Sequence, residues 1–227
     1  MEKTIIGISK GRIAKAYIDY LYKNNIINLK PEDSRKLYLE TEEYIFTFLK
    51  PNDIFNCLKN EIIDIGIIGS DVYYNACEEK VTYLSELDLF NCKFALAAPK
   101  DTNVEDIKRI AVCSRYAAYQ YYSEKEPERY KYLQSVYNDP VMIKFYFSQF
   151  FNDVNYVVMD GSLELAPLLG YADAIVDIVE TGATLKANNL EIKKTYKPIT
   201  TMIVSLKGRQ NCGYIEEFVR VNQRIRQ

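Results

Sequence analysis

Three observations predict an α/β protein with parallel strands. Short apolar runs alternate with segments of helical periodicity, several runs end in glycine or a polar residue, and helical patterns follow them. With 227 residues the chain can bury a sizeable core, as one large domain or two smaller lobes. Hydrophobic residues form 48% and charged residues 26% of the chain, as in ordinary globular proteins.

Charge and apolar length exclude several classes of protein. A net charge of −2 gives no electrostatic reason to expect a nucleic-acid or membrane-surface partner. The apolar run near the amino terminus is too short for a signal peptide, and no segment is long enough to span a bilayer. The five cysteines have irregular spacings, which is typical of reduced thiols. We therefore expect a cytoplasmic protein.

The chain contains no histidine. A Ser-His or Cys-His nucleophile is therefore excluded, and so is an imidazole metal site within this chain. Any catalysis must use carboxylates, lysine, arginine, tyrosine, hydroxyls or backbone amides. We predict no metal site built from protein ligands.

The first elements are a strand at KTIIGIS, residues 3–9, and a helix with Ile13, Tyr17 and Leu21 on one face. LYLE and YIFTFL on either side of residues 40–43 predict a hairpin or two adjacent strands. The next helix begins near Pro51. Further apolar runs predict strands at DIGIIGS, FALAAPK, RIAVCS, NYVVM and ADAIVDI.

Two later segments differ from this alternation. Residues 115–151 are rich in tyrosine and interrupted by Pro127 and Pro140, which predicts helical segments with a connecting loop in a surface insertion. The tail GYIEEFVRVNQRIR predicts an amphipathic helix. Its apolar face is more typical of core packing than of a partner site.

A strand, an acid and a Thr-Gly turn come together in DAIVDIVETGATLKANNL, residues 173–190. Asp177 closes the strand, and the turn Glu180–Thr184 leads into a helix whose first amides lack intrahelical acceptors. Glycine permits close backbone approach and threonine hydroxyls add donors, so the turn predicts a cradle for a monophosphate. Asp177 would accept hydrogen bonds from ribose hydroxyls. The alternative is a helix cap without a ligand, which the combined pattern disfavours.

Three further polar turns follow predicted strands. Lys10-Gly11-Arg12 places glycine between two cations at a helix start, which suits pyrophosphate, although such a turn is usually only solvated. The turns Asp160–Glu164 and Gly69–Asp71 are weaker signals, since capping by Ser162 would explain the first. Together these turns predict a ligand at the carboxyl ends of the strands. The residues alone indicate a phosphosugar-binding α/β protein of open identity.

The order of seven stretches resembles ATP phosphoribosyltransferase in its short form. They are ISKGRI, SRKLYLE, KPNDI, DIGIIGSDV, LDLFNCKFALAAPK, DGSLELAPLLGYADAIVDIVETGATLKANNL and ITTMIVSLKG. The resemblance covers about residues 3–113 and 154–207, and the sixth stretch is the most specific. The chain departs from the family at 115–151, where members have a shorter segment.

The resemblance implies two periplasmic-binding-protein-like (type II) α/β lobes with a cleft between them and no C-terminal regulatory domain. Residues 1–90 with 191–227 would form the first lobe, and 91–190 the second, including the unusual insertion at about 115–151. ATP and 5-phosphoribosyl 1-pyrophosphate would meet in the cleft with Mg²⁺. The adenine N1 would displace pyrophosphate in the first step of histidine biosynthesis.

The resemblance also assigns residues to this reaction. Lys10 and Arg12 would face the pyrophosphate and the ATP phosphates, and Asp177 the ribose. Asp173 lies four residues before Asp177 on the same strand face, so it would join the site or brace it. The roles of Arg35, Asp71 and Glu164 stay open individually. The implied catalytic residues are Lys10, Arg12 and Glu164, and the implied substrate-binding residues are Asp177, Glu180, Thr181, Gly182, Ala183, Thr184, Leu185, Asp173, Arg35 and Asp71.

Two rival interpretations stay open. A non-catalytic two-lobed binding or sensor protein shares the architecture, but the cationic turn and the intact phosphate loop favour an enzyme. The second rival is a phosphoribosyltransferase for another base. The common type carries two adjacent acids before its Thr-Gly turn, whereas Val176 precedes Asp177 in this chain.

Short-form relatives assemble with a regulatory subunit that resembles a histidyl-tRNA synthetase, so the resemblance implies a hetero-octamer. Tyrosines give mild support, since such rings are frequent at interfaces. Packing of these rings within the lobe is the alternative. The tyrosines concerned are Tyr116, Tyr119, Tyr121, Tyr122, Tyr130, Tyr132 and Tyr137.

Overall fold

Strands and helices alternate along the chain in the computed structural model, which describes residues 3–27, 36–76, 78–136 and 155–224. The strands are β1 (Thr4–Ser9), β2 (Tyr38–Glu40), β3 (Tyr44–Leu49), β4 (Ile65–Gly69), β5 (Val81–Pro99), β6 (Ile110–Val112), β7 (Tyr156–Val158), β8 (Ala174–Val179) and β9 (Leu190–Leu206). The helices are α1 (Arg12–Lys23), α2 (Pro51–Lys59), α3 (Ser70–Ala76), α4 (Arg115–Lys125), α5 (Pro127–Val136), α6 (Leu165–Leu168), α7 (Ala183–Ala187) and α8 (Gly213–Arg224). The predicted α/β class is confirmed.

The chain divides into two compact units. One comprises residues 1–90 with 200–227, and the other comprises residues 91–199. The strands β5 and β9 contribute residues to both units, because the division falls inside each of them. The lobe boundaries proposed from the sequence stay a prediction.

In the first unit, β1 lies between β3 and β4 and pairs in parallel with both. β2 and β3 form an antiparallel hairpin, one of the two arrangements expected, and β9 runs antiparallel along the other side of β4. Parallel strands end at a common edge of a sheet. The turns that follow β1, β3 and β4 therefore lie together at one edge.

Apolar side chains cover both faces of this sheet, because successive residues of a strand point to opposite faces. On one face, Tyr17 of α1 and Phe218 of α8 pack against Ile6. On the other face, Leu58 of α2 packs with Val204 of β9. Each fully buried side chain of this kind contributes roughly 1.5–3 kcal/mol. The amphipathic faces predicted for α1, α2 and the terminal helix are thus core faces.

In the second unit, β6 lies between β7 and β8 and is parallel to both. β5 runs antiparallel to β8. Ala95 of β5 and Ile175 of β8 lie in an apolar cluster with Leu163 and Leu185, which come from the segments after β7 and β8. The turns that carry Leu163 and Leu185 are therefore anchored in the core.

The expectation of parallel strands is correct for only some of the strands in each unit. β5 and β9 are antiparallel to their neighbours β8 and β4. Both strands are also longer than the apolar runs indicated, with 19 and 17 residues. In β9 the segment 191–195 is mostly exposed, so it has no alternation of apolar and polar residues that would predict a strand.

Residues 115–136 form the helices α4 and α5, as predicted, and the rest of the expected insertion beyond 136 lies outside the described residues. Tyr121 and Tyr122 are buried. Tyr116 stacks on Tyr119 and meets Phe94 edge to face. These four tyrosines pack within their own unit, whereas Tyr132 is exposed and Tyr137 lies outside the described residues. The side chain of Tyr130 is not among those described.

The helices that flank the sheets are short. α1 and α8 have 12 residues each, while α6 and α7 have four and five. Within the described ranges, no helix has the length and apolar character required to cross a membrane.

Candidate active site

The turn after β1 carries Lys10, Gly11 and Arg12 at the edge of the first sheet. Gly11 has φ 92° and ψ −136°, a backbone conformation that residues with a side chain rarely adopt. The amide of Lys10 donates to the carbonyl of Leu49, the last residue of β3, at 2.8 Å. This bond fixes the turn against the neighbouring strand. Lys10 and Arg12 are exposed, so the turn presents two cations to solvent.

The turn after β4 brings Asp71 into the electrostatic range of Arg12. Asp71 lies in the first turn of α3, directly after the strand adjacent to β1. Burial raises the pKa of Asp71, while the amides of Val72 and of Asp71 itself and the charge of Arg12 act in the opposite direction. Two predicted site residues that are distant in sequence therefore lie at the same edge.

The second unit presents three turns at the carboxyl ends of its parallel strands. After β6, Ser114 caps α4 by accepting the amide of Ala117 at 3.1 Å. After β7, the chain turns through Gly161 and Ser162, with φ 93° and 51°. After β8 comes the Thr-Gly turn. The turns after β7 and β8 were predicted from the sequence, whereas the turn after β6 was not. All three lie at the same edge.

The predicted phosphate loop is exposed at Thr181 and Thr184 and anchored at Leu185, whose side chain is 4% exposed. Gly182 adopts the left-handed conformation with φ 75° and ψ 7°. The Thr181 hydroxyl accepts the amide of Ala183 at 3.3 Å. Because α7 has only five residues, phosphate binding would rest on loop amides and hydroxyls more than on a helix dipole. Leu185 could bind a ligand only through its backbone, since its side chain is buried in the core.

Asp177 lies on β8 directly before the phosphate loop and is half-buried. Its alternation with Ile175 and Val179 places it on the face of β8 that packs in the core. Its Oδ1 accepts the amide of Ile178 at 2.7 Å. A carboxylate at a partly buried apolar face requires polar partners, and the hydroxyl groups of a ligand are partners of this kind.

Glu164 is the half-buried residue that precedes α6. Its side chain forms no capping bond with the helix. Its neighbour Leu163 is buried in the core, which fixes the backbone of this turn. The structure therefore places Glu164 in a turn at the same sheet edge as the phosphate loop.

Asp173 lies at the opposite end of β8 from the phosphate loop. Its Oδ2 accepts the amides of Lys108 and Arg109 at 2.9 and 2.8 Å, and its own amide donates to the carbonyl of Arg109. A strand advances about 3.3 Å per residue, so the four residues to Asp177 separate the two carboxylates by roughly 13 Å. Two roles were considered for Asp173, a place in the substrate site and a structural brace. This geometry favours the structural brace.

Arg35 lies outside the described residues, so its role stays a prediction. Lys50 precedes α2 after β3, and Arg115 begins α4 after β6; both are exposed cations at the two sheet edges. Neither is among the predicted site residues, although the order of strand, cation and helix is visible in the sequence at both positions.

The described part of the chain contains no group of three or more Cys, Asp or Glu side chains that could hold a metal ion. Mg²⁺ in nucleotide enzymes keeps several waters and is held by one or two carboxylates and substrate phosphates. Asp71 and Glu164 are single carboxylates at the sheet edges. These residues fit an ion that arrives with a phosphate substrate better than an ion in a protein cage.

The architecture defines a periplasmic-binding-protein-like α/β protein, as predicted. The alkanesulfonate-binding protein SsuA from Xanthomonas axonopodis superimposes with a TM-score of 0.56 at 12% identity, over 98% of this chain and 72% of that chain. A chain of the ATP phosphoribosyl transferase (HisG:HisZ) complex from Thermotoga maritima superimposes with a TM-score of 0.66 at 26% identity, over 98% of both chains.

Sequence similarity narrows this class to one family. The profile of the ATP phosphoribosyltransferase family (HisG) matches residues 50–226. An ATP phosphoribosyltransferase of Streptococcus thermophilus is 34% identical over 95% of this chain and 90% of its own length. One of Clostridioides difficile is 31% identical over 99% of each chain. The chain belongs to the ATP phosphoribosyltransferase family, which confirms the predicted pentosyltransferase over a non-catalytic binding protein.

Proposed function

We propose that this chain transfers the phosphoribosyl group of 5-phosphoribosyl 1-pyrophosphate to N1 of ATP and releases pyrophosphate, as the first step of histidine biosynthesis in the cytoplasm. The family match across residues 50–226 carries the proposal. It includes Asp177 and the Thr-Gly turn, whose exposed hydroxyls and left-handed glycine suit a monophosphate.

The reaction forms a bond between N1 of adenine and C1 of the ribose and breaks the bond from C1 to pyrophosphate. N1 carries a free lone pair, so no base is required to create the nucleophile. The barrier lies in the departure of pyrophosphate and in positive charge on the ribose ring. Positioning and cations at the leaving group lower such a barrier, and a chain without histidine can supply both.

In the second unit, the loop from Glu180 to Leu185 would bind the 5-phosphate through its amides and the hydroxyls of Thr181 and Thr184. Asp177 would accept hydrogen bonds from the ribose hydroxyls. Binding energy from this remote phosphate would orient the ribose for displacement. Glu164 is the nearby carboxylate of the same sheet edge and is assigned to the site without an individual role.

In the first unit, Lys10 and Arg12 would bind the pyrophosphate and the phosphates of ATP. The planar guanidinium of Arg12 can bind phosphate oxygens through two parallel hydrogen bonds. Mg²⁺, when bound with the substrates, would neutralise phosphate charge and make pyrophosphate a better leaving group. Asp71 would lie among these charges.

We also propose that the chain acts in a hetero-octamer with a regulatory subunit that resembles a histidyl-tRNA synthetase. The structural relative from Thermotoga maritima is named as a HisG:HisZ complex, which supports such a partner. The isolated chain would have little activity, the partner would restore it, and histidine would inhibit only the complex.

The decisive experiment mixes the purified chain with ATP, 5-phosphoribosyl 1-pyrophosphate and Mg²⁺, with and without the partner subunit. We expect the ultraviolet absorbance of the adduct to rise together with an equal amount of pyrophosphate. Omission of either substrate is the control. Substrate binding by the complex without an adduct would favour a binding protein, and full histidine-inhibited activity of the chain alone would contradict the need for a partner.

A further inference from the structure

The turns after β1 and β3 are joined by a backbone hydrogen bond. Ser9 and Leu49 are paired in the parallel register of these two strands, and a lysine follows each of them directly, Lys10 after β1 and Lys50 after β3. The amide of Lys10 donates to the carbonyl of Leu49 at 2.8 Å. Because paired strands lie about 4.8 Å apart, the two lysines leave the backbone at neighbouring points of the sheet edge.

Both lysines extend from an anchored backbone. Lys50 precedes α2 with an extended conformation, φ −67° and ψ 149°, and its carbonyl accepts the amides of Asp53 and Ile54 at 3.0 and 3.3 Å. The side chain of Ile54 is fully buried, which fixes this turn on the core. Lys10 is held by its bond to Leu49. The starting points of the two side chains are therefore fixed, although both lysines are exposed.

Neither lysine has a partner for its charge within the described ranges. Lys3, Lys59 and Lys194 pair with glutamates, whereas no ion pair or side-chain hydrogen bond between described residues involves Lys10 or Lys50. Like charges on opposed positions of neighbouring strands destabilise their pairing. An anion that contacts both ammonium groups would remove this repulsion.

The acids of the adjoining turns leave this pair of lysines uncompensated. Asp53 lies in the first turn of α2, is exposed and forms no ion pair with another described residue. Asp71 follows β4, on the other side of β1 from Lys50, and lies in the electrostatic range of Arg12. The sheet edge therefore keeps its positive charge on the side of β3.

We infer that Lys50, together with Lys10, binds one phosphate group of a polyphosphate. Pyrophosphate and the triphosphate of ATP share this chemistry, and a lysine ammonium binds phosphate as a compact point charge. The inference rests on the function proposed above, in which Lys10 binds these phosphates. It adds Lys50, and with it the turn after β3, to the substrate site.

Calorimetry with Mg²⁺-pyrophosphate and with Mg²⁺-ATP tests this site in the complex with the partner subunit. We expect Lys50→Gln to weaken the binding of at least one of the two ligands about 10-fold, as for the loss of one charge-assisted hydrogen bond. Lys50→Arg keeps the charge and should stay within about 3-fold of the wild type. Lys23→Gln is the matched control, because Lys23 is an exposed lysine in the last turn of α1, whereas Lys10 precedes its first turn.

The two ligands distinguish the source of the phosphate group. A loss confined to pyrophosphate assigns the site to the leaving group, and a loss confined to ATP assigns it to the triphosphate. Losses for both ligands mean that either polyphosphate binds there. Wild-type affinity of Lys50→Gln for both ligands would overturn the inference.

A double-mutant cycle of Lys10→Gln and Lys50→Gln tests whether the two lysines hold the same phosphate group. We expect the combined loss of affinity to differ about 3-fold or more from the product of the two single losses, because both side chains interact with one charge. Losses that simply multiply would show that the lysines bind separate groups, which contradicts a shared phosphate.

Lys50→Gln also has a stability readout. Since the substitution removes one of two like charges, the ligand-free melting temperature at low ionic strength should stay the same or rise. The further rise that Mg²⁺-pyrophosphate or Mg²⁺-ATP produces should be smaller than in the wild type. A lower ligand-free melting temperature with an undiminished rise on ligand addition would show that Lys50 only supports the fold.

These measurements require no turnover, so they separate the site from the proposed function. A complex that forms no adduct but loses affinity in Lys50→Gln would contradict the proposed reaction and support the site. In an active complex, the apparent KM for the affected substrate should rise about 10-fold while kcat changes less. An active complex with wild-type constants and affinities in Lys50→Gln would support the reaction and overturn the site.

Discussion

The turn after β1 and the turn after β8 both pass through a glycine with positive φ, 92° at Gly11 and 75° at Gly182. Their ψ angles differ, at −136° and 7°. Gly182 lies in the left-handed region that asparagine also visits, whereas Gly11 lies in a region open almost only to glycine. We therefore expect asparagine to be better tolerated at Gly182 than at Gly11.

The two turns also differ in the groups that they present. The first carries the cations Lys10 and Arg12, and the second carries hydroxyls and amides around Thr181 and Thr184. Long cationic side chains can follow a pyrophosphate as its charge develops and as it leaves. Short donors on a fixed loop suit a phosphate that stays in place during the reaction.

The two turns also differ in how they are anchored to the rest of the fold. The first turn begins α1, whose buried Tyr17 donates to Asn222 Oδ1 of α8 at 2.9 Å. The second begins the five-residue helix α7 and is anchored in the core by Leu185. The comparison indicates that the first turn is supported through a 12-residue helix and the second through one apolar side chain.

The largest effect is expected for Arg12→Ala. If Arg12 stabilises the departing pyrophosphate, kcat should fall about 100-fold while the apparent KM changes little, as when one charge-stabilising donor is lost. Steady-state kinetics of the complex measure both constants. A raised KM with an unchanged kcat would mean that the cationic turn binds only the ground state, and wild-type values for both would mean that it is merely solvated.

Gly182→Val tests the second turn. A β-branched residue at this positive φ adds strain of about 1–3 kcal/mol and places a side chain next to the phosphate. Binding of 5-phosphoribosyl 1-pyrophosphate should weaken roughly 10- to 100-fold with the fold retained, as measured by calorimetry. Gly208→Val is the control, since Gly208 has φ 97° and belongs to no proposed site. Equal affinity in both variants and the wild type would remove this loop from the site.

Tyr17→Phe tests the support of the first turn. Burial raises the pKa of Tyr17 well above its ordinary value, so the hydroxyl remains a donor at neutral pH. Its loss would leave the buried Asn222 Oδ1 without this partner, which should reduce the free energy of unfolding by about 1–3 kcal/mol. Urea denaturation of Tyr17→Phe and of the exposed Tyr38→Phe gives the comparison. Equal midpoints would show that this bond does not hold α1 in place.

The smallest effect is expected for Asp173→Ala. The loss of two hydrogen bonds to exposed amides should cost about 1 kcal/mol, because water can replace the carboxylate. Since Asp173 lies at the opposite end of β8 from the phosphate loop, kcat and KM should stay close to wild type. A strong kinetic defect in a stable variant would return Asp173 to the site.

Many features of the fold and of the candidate site could be predicted from the sequence, because the signals for them are local. The run of apolar residues in β4 and β8, the proline at the start of α2 and the glycines of the two turns each depend on a few neighbouring residues. The length of β9 could not be predicted in this way. Its residues 191–195 are mostly exposed and show no apolar alternation, and the part of β9 that pairs with β4 does so through partners such as Ile65 and Gly66, which are far away in the sequence.

By itself the sequence determined the α/β class, the order of strand, turn and helix, and the types of polar groups that each turn presents. Only the tertiary structure decided which of these groups meet. It placed Asp71 within the electrostatic range of Arg12 because β1 and β4 are neighbours in the sheet, and it separated Asp173 from the phosphate loop along β8. It also buried the side chains of Tyr121 and Tyr122 in the core. Strand order and burial arise from contacts between distant segments, which local periodicity does not record.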